Sequence, residues 1–142
     1  MKHRRTFFVL LAIALVICVA VIYTAIRINH ISLSQVERIV ISNWHQGLPY
    51  EWTDEEIEYV VNLYNTAVYG GFADGSGGTP NYEVFIYFRD GSYMRISEFN
   101  GIKADYEVRI FDSSGVFATP TYYIKSDKLR TFFDTLYLQE RE

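Results

Sequence analysis

The chain has 142 residues, enough for one domain, with 13 Lys and Arg against 17 Asp and Glu. All 17 acidic residues lie after position 30 beside nine basic ones, so residues 31–142 carry a formal charge of −8, a poor match for phosphate backbones that argues against nucleic-acid binding. The single cysteine, Cys18, precedes that region, which therefore has neither a disulfide framework nor a thiol nucleophile.

Residues 1–6 form a short basic N-terminus containing Lys2, Arg4 and Arg5. From Phe7 to Ile26 there are 20 residues without a charge, a length that matches a bilayer core of about 30 Å. The expectation is a transmembrane anchor over residues 7–28 and a linker over 29–35. The basic cluster ahead of the apolar run predicts a single-pass protein of the cell membrane, with the N-terminus inside and an extracytoplasmic domain, residues 36–142, outside. Two processing alternatives keep the same sidedness. Leu15-Val16-Ile17-Cys18 resembles a lipoprotein box, although Ile17 stands where a small residue belongs, and Cys18 and Ala20 fit a cleavage site after Ala20.

Val36 to Trp44 is rich in β-branched residues, and Ile39 and Ile41 alternate with Arg38 and Ser42, the pattern of a half-buried strand. Gly47 and Pro49 mark residues 45–52 as a loop. Thr53 followed by Glu56 is a capping box. The carboxylates Asp54, Glu55 and Glu56 suit the positive end of a helix dipole, and Ile57, Val60, Val61 and Tyr64 repeat at helical spacing. Gly70-Gly71 reads as the helix stop, opening a glycine-rich surface loop over 70–81. That loop has no lysine for a phosphate-binding loop. Its Asp74-Gly75-Ser76 has too few carboxylates for calcium.

Tyr82–Phe88 and Ser92–Phe99 form a hairpin whose register burial decides. A two-residue turn would mix apolar and charged residues on one face. A three-residue loop, Arg89-Asp90-Gly91, pairs Phe88 with Ser92, Ile86 with Met94 and Val84 with Ile96, giving one apolar face. The opposite face then carries Phe85 beside Arg95 and Tyr87 beside Tyr93. Tyr106–Phe111 alternates again, with Glu107 and Arg109 outward. Asp112-Ser113-Ser114-Gly115 turns the chain, and Val116–Ile124 returns it, with Pro120 suiting an edge strand or a bulge. Asp127 is read as the cap of a last helix with the stripe Leu129, Phe132, Phe133 and Leu136. The expected fold class is α+β: a five-stranded, mainly antiparallel sheet in the order β-α-β-β-β-β-α, with both helices on one face.

The run from Val36 to Leu136 resembles a group of small, uncharacterised extracytoplasmic domains of Gram-positive bacteria, some lipoproteins and some membrane-anchored. The resemblance rests on the capped acidic helix Thr53-Asp54-Glu55-Glu56-Ile57, the Tyr87-Phe88-Arg89-Asp90-Gly91 turn and the Tyr122-Tyr123-Ile124-Lys125-Ser126 strand. It implies a TBP-like helix-on-sheet fold and an extracytoplasmic location, with no catalytic residues to transfer.

The chemistry-bearing residues point the same way. His45 is the one histidine after position 36, and no helical His-x-x-x-His or nucleophile-elbow pattern occurs, so neither a metal, a cofactor nor an enzyme activity is expected. Aromatic residues number 24. Phe85, Tyr87, Tyr93, Arg95 and Arg109 fall together on the outer sheet face, and Tyr and Arg are enriched at protein interfaces. The expected function is a binding or accessory domain for a protein or peptide partner. The alternative is a glycan-binding module in which Trp44 and Trp52 stack on sugar rings.

Overall fold

The computed structural model describes residues 2–25, 30–42, 50–75, 78–99, 104–118 and 120–139. Helix α1 spans Lys2–Ala25. A 3-10 turn at Leu33–Gln35 leads into β1 (Val36–Ser42), followed by α2 (Asp54–Asn65), β2 (Val68–Phe72), β3 (Glu83–Phe88), β4 (Tyr93–Glu98), β5 (Tyr106–Phe111), β6 (Tyr122–Lys125) and α3 (Asp127–Gln139).

The strands make one six-stranded sheet in the order β1-β3-β4-β5-β6-β2, with every neighbouring pair antiparallel. The fold class is α+β, as expected, but the five-stranded sheet is corrected to six strands. The additional strand is β2, within the stretch read as a helix stop and loop. Val68, Tyr69 and Phe72 have strand-forming side chains, and the glycines sit inside the strand, not after a helix. The pairing with β6 shifts between Tyr69 and Gly71, a bulge that Gly71 accommodates at φ +104.

The hairpin has the expected register. The Phe88 N–H donates to the Ser92 carbonyl at 2.9 Å, the Gly91 N–H donates to the Phe88 carbonyl at 3.0 Å, and Gly91 has φ +86. Ile86 faces Met94 and Val84 faces Ile96. Both helices pack on this face, where Val60 and Tyr64 of α2 and Leu129 and Phe133 of α3 join Ile41, Val84, Ile86, Met94, Ile96 and Val108 in one core. Each such side chain contributes roughly 1.5–3 kcal/mol when fully buried.

The capping box at the start of α2 is formed. The Glu56 N–H donates to Thr53 Oγ1 at 3.2 Å, and the Thr53 N–H donates to Glu56 Oε2 at 3.0 Å. The Tyr50 hydroxyl also donates to Glu56, and this bond is the main reason that the Glu56 carboxyl titrates below its ordinary value. At α3 the cap is one residue earlier than expected: Ser126 Oγ accepts from the Leu129 N–H at 3.3 Å, and Asp127 is the first helical residue. The strand expected over Val116–Ile124 is shorter. Phe117 makes an isolated bridge to Phe111, and β6 begins only at Tyr122, beyond Pro120. Being flanked by β5 and β2, β6 is an interior strand.

The N-terminal segment requires a further correction. Among the described residues no helix is long and apolar enough to cross a membrane. Helix α1 spans Lys2–Ala25, and its side chains over residues 6–22 are exposed. The transmembrane anchor over 7–28, its single-pass, signal-anchor topology and the cell-membrane location are all corrected by this finding. Cys18 lies within α1 and is exposed.

Candidate functional site

The face of the sheet opposite the helices holds the candidate residues. Strand β3 alternates half-buried and buried positions along its length, so Glu83, Phe85 and Tyr87 point away from the core. Cross-strand pairing then lines these positions up in three rows that run across the sheet. The first row is aromatic: Arg38, Tyr87, Tyr93 and Phe111 are successive partners. The second is Val40, Phe85, Arg95 and Arg109. The third is Ser42, Glu83, Ser97, Glu107 and Tyr123. The structure thus brings Phe85, Tyr87, Tyr93, Arg95 and Arg109 together on one surface.

Ring geometry binds the aromatic row into a strip. Tyr87 and Tyr93 lie 5.8 Å apart between centroids, Tyr93 stacks on Phe111 at 4.5 Å, and Phe111 meets Phe117 at 4.8 Å. Phe85 flanks both tyrosines at 6.3 and 6.4 Å. The Arg38 guanidinium sits 4.4 Å above the Tyr87 ring, within cation–π range. Phe117 is 56 % exposed, so the strip ends in an open apolar side chain.

The arginine and carboxylate rows meet in a cleft of about 310 Å³, lined by Glu83, Arg95, Ser97, Glu98, Phe99, Glu107 and Arg109 together with Gly75, Gly78 and Pro80. Arg109 Nε and NH2 both reach Glu107 Oε1 at 2.6 Å. Arg95 is held far more loosely, its Nε lying 3.6 Å from Glu83 Oε1. That oxygen already accepts the Ser97 hydroxyl at 2.8 Å. The Arg95 Nε is buried without a hydrogen-bond partner.

Beyond the cleft the face is covered. Tyr123 is buried beneath Phe99, and its hydroxyl donates to Asp74 Oδ1 at 2.8 Å, which pins the start of the glycine-rich loop to the sheet. This loop therefore forms one wall of the site.

Sequence reasoning left Arg38, Phe111, Phe117 and Glu83 off this surface and placed Glu107 outward without assigning it to the site. Phe111 and Glu107 share the alternation phase of Arg109 and were accessible to that argument. Arg38 required the β1–β3 pairing, which no local pattern encodes. The residues of the glycan alternative lie elsewhere: Trp52 packs between Tyr50 and Phe132 on the helix side, and Trp44, like His45, lies outside the described residues.

A second polar cluster lies under α3. Arg130 contacts Asp105 at 3.2 Å, Glu98 at 3.4 Å and Asp134 at 3.8 Å, and Tyr82 donates to Asp134 at 2.8 Å. Its bonds join α3 to the sheet. Among the described residues no group of three or more His, Cys, Asp or Glu is arranged to hold a metal ion. Comparisons with protein-family models, with curated proteins and with solved structures each return no match.

Proposed function

We propose that this domain is a binding or accessory module that recognises a protein or peptide partner through the outer face of its sheet. One observation carries the reading: Tyr87, Tyr93 and Phe111 form a strip of contacting rings in direct register with Arg38 and next to Arg95 and Arg109. Aromatic and arginine side chains dominate interface hot spots, because they combine large apolar area with directional donors. The face opposite packs against the two helices, whereas this one carries no covering helix.

A random displayed-peptide library panned on the full chain tests the reading. Binders should emerge, and the triple variant Tyr87→Ala, Tyr93→Ala, Arg95→Glu should lose them while keeping its circular dichroism spectrum. Binders indifferent to that variant, or a panning that enriches nothing, reject the reading.

A further inference from the structure

We infer that β2 is the seam between two copies of this chain, which join edge to edge into one continuous sheet about a two-fold axis. The inference is independent of the reading of the outer face, because β2 lies at the end of the sheet away from Arg38, Tyr87 and Tyr93.

The two open edges of the sheet differ. Strand β1 shows exposed Glu37 and Arg38, the kind of charged residue that keeps an edge from pairing with another chain. The stretch from Thr66 to Ala73 has no charge, and Val68 and Phe72 are 67 % and 57 % exposed. Among the described residues no strand lies beyond β2. Its backbone is turned for pairing. The Ala73 N–H donates inward, to the Thr121 carbonyl at 3.0 Å. The Ile124 carbonyl, opposite Tyr69, accepts from the Asp105 N–H and so faces β5. Alternation along an antiparallel ladder then turns the N–H and C=O of both Tyr69 and Phe72 to the open edge.

The bulge identifies the occupant. Tyr69 and Phe72 are three residues apart, yet they stand opposite the core residues Ile124 and Tyr122 and so share the helix face. A regular strand repeats its faces every two residues and cannot match both positions. A second β2, running antiparallel, brings the same extra residue to the same place. Val68-Tyr69-Gly70-Gly71-Phe72-Ala73 also reads nearly the same from either end: apolar, aromatic, glycine. That self-complementarity is what a two-fold interface requires. An axis normal to the sheet, level with the Gly70-Gly71 bond, sets Tyr69 opposite the partner's Phe72 and Val68 opposite the partner's Ala73. Each Tyr69–Phe72 pair exchanges two backbone hydrogen bonds, and the glycines put no side chain in the way at the axis. Lys125 stands beside Val68 and Asp74 follows Ala73, so the charges that approach across the seam have opposite signs. Both outer faces stay open on one side of the joined sheet.

Disulfide trapping of the full chain in a Cys18→Ser background provides the test. Val68 and the partner's Ala73 form a non-hydrogen-bonded pair, whose Cα atoms lie about 4.5 Å apart, within reach of a disulfide. The two copies of residue 68 are separated by roughly 15 Å along the seam, out of reach. Val68→Cys mixed with Ala73→Cys, under mild oxidation by diamide, should therefore give the mixed dimer, and either variant alone should give almost none. The reaction is run at about 0.15 M salt to screen the charge that each domain carries. Phe72→Lys added to both chains should cut the mixed linkage about tenfold, through two lost aromatic pairs and two lysines at the edge. Circular dichroism checks that this exposed substitution leaves the fold intact. Self-linkage equal to mixed linkage overturns the inference and places association on another surface. Mixed linkage that Phe72→Lys leaves unchanged also overturns it. Absence of any linkage does so as well, and binding of labelled acetyl-Thr-Val-Thr-Val-Thr-amide, abolished by Phe72→Lys, would then show that a foreign strand takes this edge.

Discussion

Arg95 and Arg109 stand directly opposite each other on neighbouring strands, and only Arg109 has a close carboxylate partner. This placement costs the fold stability, because two cations share one sheet face and the Arg95 Nε is desolvated without a hydrogen bond. We expect Arg95→Leu to raise the unfolding free energy by about 0.5–1 kcal/mol at low salt, since the leucine keeps the apolar stem and removes both penalties. Urea denaturation of the two proteins checks this. A loss of stability would mean that Arg95 is a structural residue and would weaken the case for a binding surface here. A gain in stability with loss of ligand is the trade-off common at sites kept for function.

Alkaline pH gives a second expected outcome. Tyr64 and Tyr82 are buried, and their hydroxyls bond those of Tyr122 and Tyr106 respectively. Burial, reinforced in Tyr64 and Tyr82 by the neighbouring phenol, pushes the ionisation of Tyr64, Tyr82 and Tyr106 well above the ordinary tyrosine value. The folded state therefore holds protons that the unfolded chain releases above about pH 10. Stability from these groups is complete below that pH and falls as pH rises beyond it, by about 1.4 kcal/mol per pH unit for each tyrosine. A titration followed at 295 nm should show the exposed tyrosines ionising first, then a steep phase coincident with loss of the circular dichroism signal. A single smooth curve with the fold intact throughout would contradict it.

How much of this was legible in the sequence depended on whether neighbours in space were neighbours along the chain. The Thr53–Glu56 capping box and the Ile86–Met94 register are local, so sequence spacing and burial determined them. Phe85, Tyr87, Tyr93, Arg95 and Arg109 followed from the same register and the two-residue period of a strand. Arg38 joins the site only because β1 pairs with β3 across an intervening helix and strand. Strand β2 was missed because Gly70-Gly71 carries the same signal at the end of a helix as at a bulge. What separates the two is the long-range pairing with β6, where a Cβ on Gly70 would come within 3.1 Å of the Tyr123 Cβ. The apolar run after residue 6 satisfied a length rule as sequence, but among the described residues no helix is long and apolar enough to cross a membrane.

Gly71 offers a direct test of that bulge. Its φ of +104 is a conformation that side-chain-bearing residues rarely adopt, although a Cβ there would meet open space. Gly71→Val should cost about 1–3 kcal/mol from backbone strain alone. Gly75, at φ +74 in the adjoining loop, serves as the comparison, because asparagine tolerates the left-handed region and Gly75→Asn should stay within about 0.5 kcal/mol. Thermal melts of both variants decide it, and equal effects would place the strain elsewhere.

Arg130 shows what an arginine does when its partners are fully provided, in contrast to Arg95. Its guanidinium reaches Asp105 and Glu98, which are both 7 % exposed, and lies 3.8 Å from Asp134. The carboxylates are bonded on their far sides too: Asn81 donates to Glu98 from its backbone and side-chain nitrogens at 2.9 and 2.8 Å, and the Ser126 N–H donates to Asp105 at 2.8 Å. Arg130→Met would keep the stem's packing and strand two buried negative charges, so at pH 7 it should cost about 2–3 kcal/mol, less than for a fully enclosed pair because the Arg130 side chain retains 31 % exposure. Urea melts of the wild type, Arg130→Met and Arg130→Lys measure it. Arg130→Lys keeps a cation beside the carboxylates and should recover part of the loss. Equal destabilisation by Met and Lys would show that Arg130 acts through packing and not through charge.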